Sequence, residues 1–354
     1  MQEDMHFYGT YAMARAAGLE PDTARTIAWA AQFVDDALEG DLIGGGDYGV
    51  VLPIMTSHKP IDYHNAIARD QWEVWVCFHF LPGLGGGKDA SLDEKLVCTQ
   101  DSATAKKMLN HAIKFVKEPY GPHLAGIAAH VYADTFSHFG FAGVHRDWNR
   151  VKNGTVIIKS SLKQGLVNYL ESKFQNVVTR VKGSMAEAVP VGHGSVGTYP
   201  DRPYLHWEYE YEWHPNPKKP RPKVVRDNTE HFLDGCQALH VYFRRVAKAL
   251  GQGAGVRKWS AIAGLVADIL KLAGDKAERI ERWLKEYERS ALFDFQQADM
   301  KARYSESAWQ PGRIIANKAR KRHQLANDGL QFIKAARVHR AYVLGVLLKD
   351  LVII

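Results

Sequence analysis

The stretch His130-Val-Tyr-Ala-Asp134-Thr-Phe-Ser-His138 places two imidazoles and a carboxylate among mostly apolar neighbours. An α-helix turns about 100° and rises about 1.5 Å per residue, so His130 and Asp134 lie one turn apart on the same face. His138 lies a further turn along the helix. The spacing predicts that His130 and Asp134 bind one ion, that His138 binds a second, and that Asp134 lies between the two.

The residues around this motif predict a helix that is buried on all sides. Small and aromatic side chains dominate from Ala125 to Phe141, and a helix without a polar face belongs in a protein core. Polar and ionised groups in a core need strong partners, and a metal ion is the simplest partner for two imidazoles and a carboxylate. The sequence therefore favours a metal site over a set of hydrogen-bonded core histidines.

The rest of the chain is predicted to be all-α, with a few short strands and long loops. Helices are expected over 7–17, 22–38, 102–117, 123–139 and 160–182, and again over most of 226–350. Residues 72–80 are β-branched or aromatic and predict a short strand or an extended buried segment. We expect a metal-binding helical core over 1–200, a proline-rich connecting loop over 201–225, and a C-terminal helical region over 226–354 that packs on the core.

The composition limits the class of protein and its partners. The 354 residues carry a formal net charge of +7, which favours anionic partners such as phosphate esters, lipid headgroups or nucleic acid. The three cysteines form no CxxC pair, as expected for a reducing compartment. No signal-like run follows the acidic first residues, and no apolar run reaches the roughly 20 residues of a membrane span. These features predict a cytoplasmic protein without a transmembrane segment, and they leave delivery by a specialised secretion system open.

Further ligands must come from other segments, because one helix cannot surround an ion. The candidates are histidines beside apolar residues, two acids that end an apolar helix, and a glycine-flanked histidine followed by a proline-framed aspartate. The candidate metal ligands are His6, Asp35, Asp36, His58, His79, His130, Asp134, His138 and His193, and the candidate catalytic carboxylates are Asp36, Asp134 and Asp201. A solvated helix end at Asp35-Asp36 and a hydrogen-bonded core role for His79 stay open as alternatives.

These residues resemble the zinc-dependent phospholipase C and P1 nuclease superfamily, over roughly residues 1–200. The resemblance rests on an early His, an Asp that closes an early helix, a loop His, and the sequence motif Gly-x-x-x-His-x-x-x-Asp-Thr-x-x-His of residues 126–138. It implies an all-helical fold that holds zinc ions with His and Asp. His6, Asp36 or Asp35, His58, His130, Asp134 and His138 match the positions of the superfamily's ligands.

Two departures from the superfamily affect the expected number of ions. Secreted members bind a third zinc through an N-terminal Trp, whereas this chain starts Met-Gln-Glu-Asp. Many members carry a further His-x3-Glu or His-x3-Asp pair on a helix, and no predicted helix after residue 140 has one, so His193 and Asp201 are the candidates to replace it. We therefore expect two zinc ions, and a third ion, as in other members of the superfamily, stays open. The opening residues and the Gly-His-Gly loop look like an uncharacterised bacterial branch.

The leading functional hypothesis is a zinc-dependent phosphodiesterase or phospholipase C-like hydrolase. Two zinc ions about 3.5–4 Å apart clamp a phosphodiester and activate water, and Asp36 or Asp201 would orient that water. One alternative is an HD-type metal phosphohydrolase, which ranks lower because the chain contains no His-Asp dipeptide. Another is a bacterial effector or binding protein in which the metal is structural and the C-terminal half is a docking surface.

Overall fold

A computed structural model gives the structure of the protein. It describes residues 1–44, 50–59, 64, 67–87, 89–152, 154–181, 191–212, 223–312 and 327–352. Parts of two predictions lie outside these residues, namely residues 313–326 of the helical region expected over 226–350 and residues 213–222 of the proline-rich loop expected over 201–225.

The described part of the chain is mainly helical, as predicted. The first helix, α1, has a π-helical turn over Asp4–Gly9 and continues as an α-helix over Thr10–Ala16. Pro21 begins α2, Pro21–Asp36, because a proline lacks the N–H that the first turn of a helix leaves unpaired. The remaining helices before the sheet are α3 (Ala68–Asp70, continuing as a π-helix over Gln71–Val76), α4 (Leu92–Leu96), α5 (Ala103–Lys114), α6 (Gly121–His138) and α7 (Gln164–Val181).

Helix α6 lies at the centre of the described fold and carries His130, Asp134 and His138. It packs against α2 and α5 and against two helices of the C-terminal region. Its residues from His123 to His138 are all buried, as the apolar sequence predicted. At its crossing with α2, a Cβ on Gly126 would lie 2.2 Å from the carbonyl oxygen of Ile27, so only glycine fits this contact. The close crossing brings the last turn of α2 beside His130.

The prediction of a strand or extended segment over residues 72–80 is wrong. Residues 71–78 continue the short helix α3 as a π-helical turn and one further helical turn. Val74, Val76, Cys77 and Phe78 are buried. A segment that is buried on several sides is rich in β-branched and aromatic residues in either conformation, so β-propensity alone misassigned it.

A small antiparallel sheet covers one end of α6. Strand β3 (Ile157–Ile158) pairs with β4 (His206–Glu210), and β4 pairs with β5 (Lys223–Asp227). Separately, strands β1 (Ile43–Gly44) and β2 (Val50–Val51) form an antiparallel pair. Trp207 and Tyr209 face a second apolar cluster. Strand β4 lies within residues 201–225 and β5 begins there, so the described part of that segment is not a simple connecting loop. The alternation of aromatic and acidic residues over 206–210 was the missed signal.

The C-terminal helices close the core around α6. They are α8 (Asn228–Leu250), α9 (Trp259–Leu270), α10 (Lys276–Glu288) and α11 (Asp328–Tyr342, continuing as a π-helix over Val343–Leu347). One apolar cluster contains side chains from α1, α2 and α6 together with side chains from α8 to α11. Residues 226–352 therefore complete the core that surrounds the candidate ligands. Among the described residues, no helix combines the length and the apolar composition that crossing a bilayer requires.

Candidate metal centre

Asp134 lies at the centre of the candidate site, with imidazoles around both of its oxygens. Oδ2 is 3.2 Å from Nε2 of His130 and 3.4 Å from Nδ1 of His79. Oδ1 is 3.2 Å from Nε2 of His6 and 2.8 Å from the amino group of Met1. The carboxylate is fully buried, so the charged amino group of Met1, rather than water, offsets its negative charge.

Three sets of side chains around Asp134 converge closely enough to hold a cation each. Their ligand atoms lie within 4.8 Å of one another in every set. The sets are His6, His130 and Asp134; Asp35, His79 and His130; and His138, His193 and Asp201. We call the second the inner triad and the third the outer triad. Nδ1 of His138 lies 3.4 Å from Asp134 Oδ2, so Asp134 lies between the two triads.

Backbone carbonyls fix the tautomers of four of these histidines. A carbonyl oxygen accepts but never donates, so the ring nitrogen beside it must carry the proton. Nδ1–H of His130 donates to Ala31 at 2.7 Å, and Nε2–H of His79 donates to Thr56 at 2.8 Å. Nδ1–H of His138 donates to the carbonyl of His79 at 2.9 Å, and Nδ1–H of His193 donates to Gly197 at 2.7 Å.

The remaining nitrogens of these rings therefore turn unprotonated lone pairs toward the triads. Nδ1 of His79 and Nε2 of His130 face each other at 3.3 Å. Nε2 of His138 faces Oδ1 of Asp201 at 3.0 Å. In the first contact two lone pairs meet when both rings are neutral, whereas in the second the amino group of Met1 lies 3.5 Å from Nε2 of His138 and 3.3 Å from Oδ1 of Asp201. A cation between the two lone pairs of the first contact relieves their repulsion, and metal-binding histidines are held in the same way by an outer hydrogen bond.

His6 adds a fifth imidazole that has no hydrogen bond. Both ring nitrogens are buried and unpartnered, although Nε2 lies 3.2 Å from Asp134, because that approach lacks hydrogen-bond geometry. The ring stacks on His130 with centroids 3.8 Å apart. A buried, unsatisfied imidazole is costly unless an ion accepts its lone pair, so His6 fits a ligand better than a structural residue.

Burial keeps His6 and His193 neutral, whereas nearby groups keep the carboxyls of Asp134 and Asp201 ionised. Burial lowers the pKa of His193 to about 4 and holds the pKa of His6 well below its usual range. Burial opposes ionisation of Asp134, but the nearby His138 and the Met1 amino group outweigh it and hold its pKa well below normal. The same balance lowers the pKa of Asp201. Neutral imidazoles and ionised carboxylates are the forms that bind zinc, so the residues present fit this ion.

Two predicted residues lie outside the three sets. Asp36 points away from the inner triad and accepts hydrogen bonds from Tyr304 at 2.6 Å and Gln32 at 3.0 Å. Its neighbour Asp35 takes the position at the helix end, and its carboxyl is 3.8 Å from Nδ1 of His79. His58 is buried and stacks on His64 with centroids 5.3 Å apart. The sequence identified the right helix end and loop, but the structure brings Asp35 rather than Asp36 to the site.

The site opens at two positions. The side chain of Asp35 is 29% exposed and that of His193 is 18% exposed, whereas His6, His130 and Asp134 are inaccessible. A ligand from solvent would therefore reach the triads from the Asp35 side or the His193 side.

Comparison with known proteins gives one match. The sequence model of a family of unknown function, DUF6765, matches residues 1–347. The chain belongs to DUF6765. No curated protein and no solved structure matches the chain at a significant level. The DUF6765 description assigns no activity, so the chemistry of the site must be argued from its side chains.

Sequence reasoning missed Thr56 in this DUF6765 member. Its carbonyl orients His79, its amide donates to Ala37 at 3.0 Å, and its hydroxyl donates to Val34 at 2.7 Å. Thr56 thus ties the loop before His58 to the last turn of α2, which carries Asp35. A backbone contact of this kind leaves no pattern in the sequence. The feature that the sequence does show, the loop Thr56-Ser57-His58, favoured His58 instead.

Proposed function

We propose that the protein is a zinc-dependent hydrolase of phosphate esters. The observation that carries the proposal is the convergence of unprotonated imidazole nitrogens on Asp134, Asp35 and Asp201. Four of these imidazoles are held in the required tautomer by backbone carbonyls before any ligand binds. The facing lone pairs of His79 and His130 and the unpartnered ring of His6 are costly without a cation and favour metal binding at these positions.

The side chains divide naturally between two ions. The inner triad with Asp134 would hold one, and the outer triad would hold the other, with His6 beside Asp134 as a ligand for a third. Neutral imidazoles and carboxylates are the ligands that zinc takes in proteins. Zinc at such sites supplies Lewis acidity for phosphoryl oxygens and lowers the pKa of water to near neutrality.

The side chains at the two openings have separate roles in this proposal. Asp35, at one opening, would meet the incoming substrate and hold the nearby ion on that side. Asp201 lies 3.0 Å from His138 and 3.7 Å from His193, so its carboxylate can orient water at the outer opening by accepting a hydrogen bond. The net charge of +7 favours an anionic substrate, either a phospholipid or a nucleotide or nucleic-acid phosphodiester. The spacing resemblance to phospholipase C and P1 nuclease supports the same reaction class.

Metal analysis and a phosphodiesterase assay test the proposal. The purified protein should contain about two zinc ions per chain and should hydrolyse bis(4-nitrophenyl) phosphate. His130→Ala and Asp134→Ala should each lower the metal content and reduce the rate by at least about 100-fold. Asp147→Ala, which removes a surface carboxylate paired with Arg150, is the matched control and should leave both unchanged. Wild-type protein that contains no metal, or unchanged activity in both site variants, would contradict the proposal.

The depth of the site favours one second candidate, a binding or effector protein with a structural metal. Structural zinc sites have closed shells of protein ligands, and the innermost residues here are inaccessible to solvent. Cobalt substitution separates the two functions. A visible spectrum that changes when a small anion is added indicates an open coordination position and an enzyme. A spectrum that does not change when the anion is added, together with no hydrolysis of the phosphodiester, indicates a structural site.

A further inference from the structure

Arg202 directly follows Asp201 of the outer triad and is only 4% exposed. Its Nε donates to the hydroxyl of Thr198 at 3.3 Å, and its Nη1 donates to the hydroxyl of Tyr204 at 3.4 Å. Both hydrogen bonds are long, and both acceptors are neutral. Among the residues that the structure describes, no carboxylate lies within 4.0 Å of this guanidinium.

The other buried guanidiniums of the protein are better satisfied. Arg15 lies 2.7 Å from the carboxylate of Asp299, and Arg279 lies 2.7 Å from that of Asp4. Arg226 donates to two carbonyls, at 2.8 and 3.1 Å, and lies 3.7 Å from the centre of the Phe139 ring. A buried cation without a matching anion is expensive. Beside its two hydroxyl contacts, Arg202 has only the face of the Tyr169 ring, 5.6 Å from its Cζ, so its charge is the least offset among the buried arginines that the structure describes.

The surroundings of Arg202 connect it to the outer triad. The short turn Tyr199–Asp201 leads directly into it, and Asp201 contacts His138 and His193. Nδ2 of Asn228 donates to the carbonyls of Tyr199 at 2.7 Å and Arg202 at 2.8 Å, which fixes the backbone on both sides of Asp201. The same hydrogen-bonded turn therefore carries both Asp201 of the outer triad and Arg202.

We propose that Arg202, together with the hydroxyls of Thr198 and Tyr204, binds a phosphate group beside the outer triad. A planar guanidinium with two neighbouring hydroxyls presents several donors to one tetrahedral anion, which is the geometry that phosphate recognition uses. The inference rests on the proposed function and refines it. The preferred substrate carries an anionic phosphate group in addition to the ester bond at the metal ligands.

Calorimetric titration with inorganic phosphate tests this site. Zinc-loaded wild-type protein should bind phosphate at the metal centre and at Arg202. Arg202→Gln should weaken the second binding event by on the order of 10- to 100-fold, because a charge-assisted hydrogen bond is lost. Arg150→Gln removes a surface guanidinium that pairs with Asp147, and it should bind phosphate as the wild type does. Circular dichroism and zinc content are measured for each variant to confirm an intact fold and site.

The outcomes separate this inference from the proposed function. Arg202→Gln protein with wild-type fold, zinc content and phosphate affinity would overturn the inference while leaving the metal site intact. If Arg202→Gln does not fold, Tyr204→Phe is tested in its place. Its phosphate affinity should fall by about 3- to 10-fold, and an unchanged affinity would contradict the inference. If the wild type binds no zinc, the proposed function fails. Arg202-dependent phosphate binding is then measured in the metal-free protein, where its absence overturns the inference too.

Discussion

At the scale of single residues, the site depends on where each imidazole keeps its proton. His130, His138 and His193 donate through Nδ1, whereas His79 donates through Nε2. The reversed tautomer of His79 lets it approach His130 from the opposite side of the inner triad. Because these protons are held by main-chain oxygens, the ligand atoms are oriented before any ion arrives, and the entropy lost on binding is small.

Removing one outer ligand should separate the two ions. His193 belongs to the outer triad and not to the sets that contain His130. We expect His193→Ala to lower the zinc content by about one ion per chain and to leave the inner ion bound, since Asp35, His79 and His130 are intact. Mass spectrometry under native conditions measures the stoichiometry. Loss of both ions together would show that the triads do not bind independently.

A histidine away from the triads should make folding sensitive to acid. Burial lowers the pKa of His339 to about 4, and its Nε2–H donates to the carbonyl of Cys77 at 2.9 Å. The unfolded chain takes up this proton near pH 6.5 but the folded protein does not, so stability is complete above that pH and falls as the pH drops toward 4. Between pH 7 and pH 5 the loss from His339 alone is roughly 2 kcal/mol.

The comparison with a variant isolates this contribution. His339→Gln cannot be protonated, so its unfolding free energy should fall less between pH 7 and pH 5 than that of the wild type. Urea unfolding at the two pH values measures both proteins. Burial also lowers the pKa of His6 and His193, so they add to the pH dependence, but they are present in both chains and cancel in the difference. Equal pH dependence of the two proteins would contradict the assignment.

At the scale of elements, the crossing of α2 and α6 holds the inner triad together. Asp35 comes from α2, His130 from α6 and His79 from the turn after α3, so the site exists only while the two helices stay in close contact. Ala30 and Gly126 form this contact, and an added Cβ at position 126 would lie 2.7 Å from the Cβ of Ala30. Small residues at the crossing thus serve the metal site as well as the core.

Enlarging this contact should weaken both folding and metal binding. Gly126→Ala places a methyl group against the backbone of Ile27, so α2 must move away, at a cost of about 2 kcal/mol. Zinc affinity should fall because Asp35 moves with α2. Gly264→Ala is the matched control, since Gly264 lies within α9 with open space around it and should be stabilised by roughly 0.5–1 kcal/mol. Unaltered zinc affinity in Gly126→Ala would argue that the crossing does not position the ligands.

At the scale of the whole molecule, the C-terminal region holds the first helix in place. Arg279 of α10 lies 2.7 Å from Asp4, which precedes His6 by two residues, and Arg15 of α1 lies 2.7 Å from Asp299. Tyr287 donates to the carbonyl of Tyr8 at 2.5 Å. The ligand His6 is therefore fixed by residues almost 300 positions away in sequence.

Breaking the Asp4–Arg279 pair should test this arrangement. Arg279→Met leaves the buried carboxylate of Asp4 without its partner, and the expected cost is about 3–5 kcal/mol in unfolding free energy. The double variant Asp4→Leu with Arg279→Met should recover much of the loss, since no unpaired charge remains. Urea unfolding of the three proteins measures both steps. A single variant as stable as the wild type would show that the pair does not hold α1 to α10.

The sequence by itself determined the helical class and the central helix with His130, Asp134 and His138, because period, burial and spacing are local properties of one segment. It also indicated His6, His79, His193, Asp201 and the acidic end of α2. Only the tertiary structure selected Asp35 over Asp36, turned residues 71–78 into a helix, and formed strands in the proline-rich segment. It also divided the ligands into two triads joined by Asp134. These outcomes depend on helix crossings and on hydrogen bonds to main-chain carbonyls, which join residues distant in sequence and leave no periodic signal.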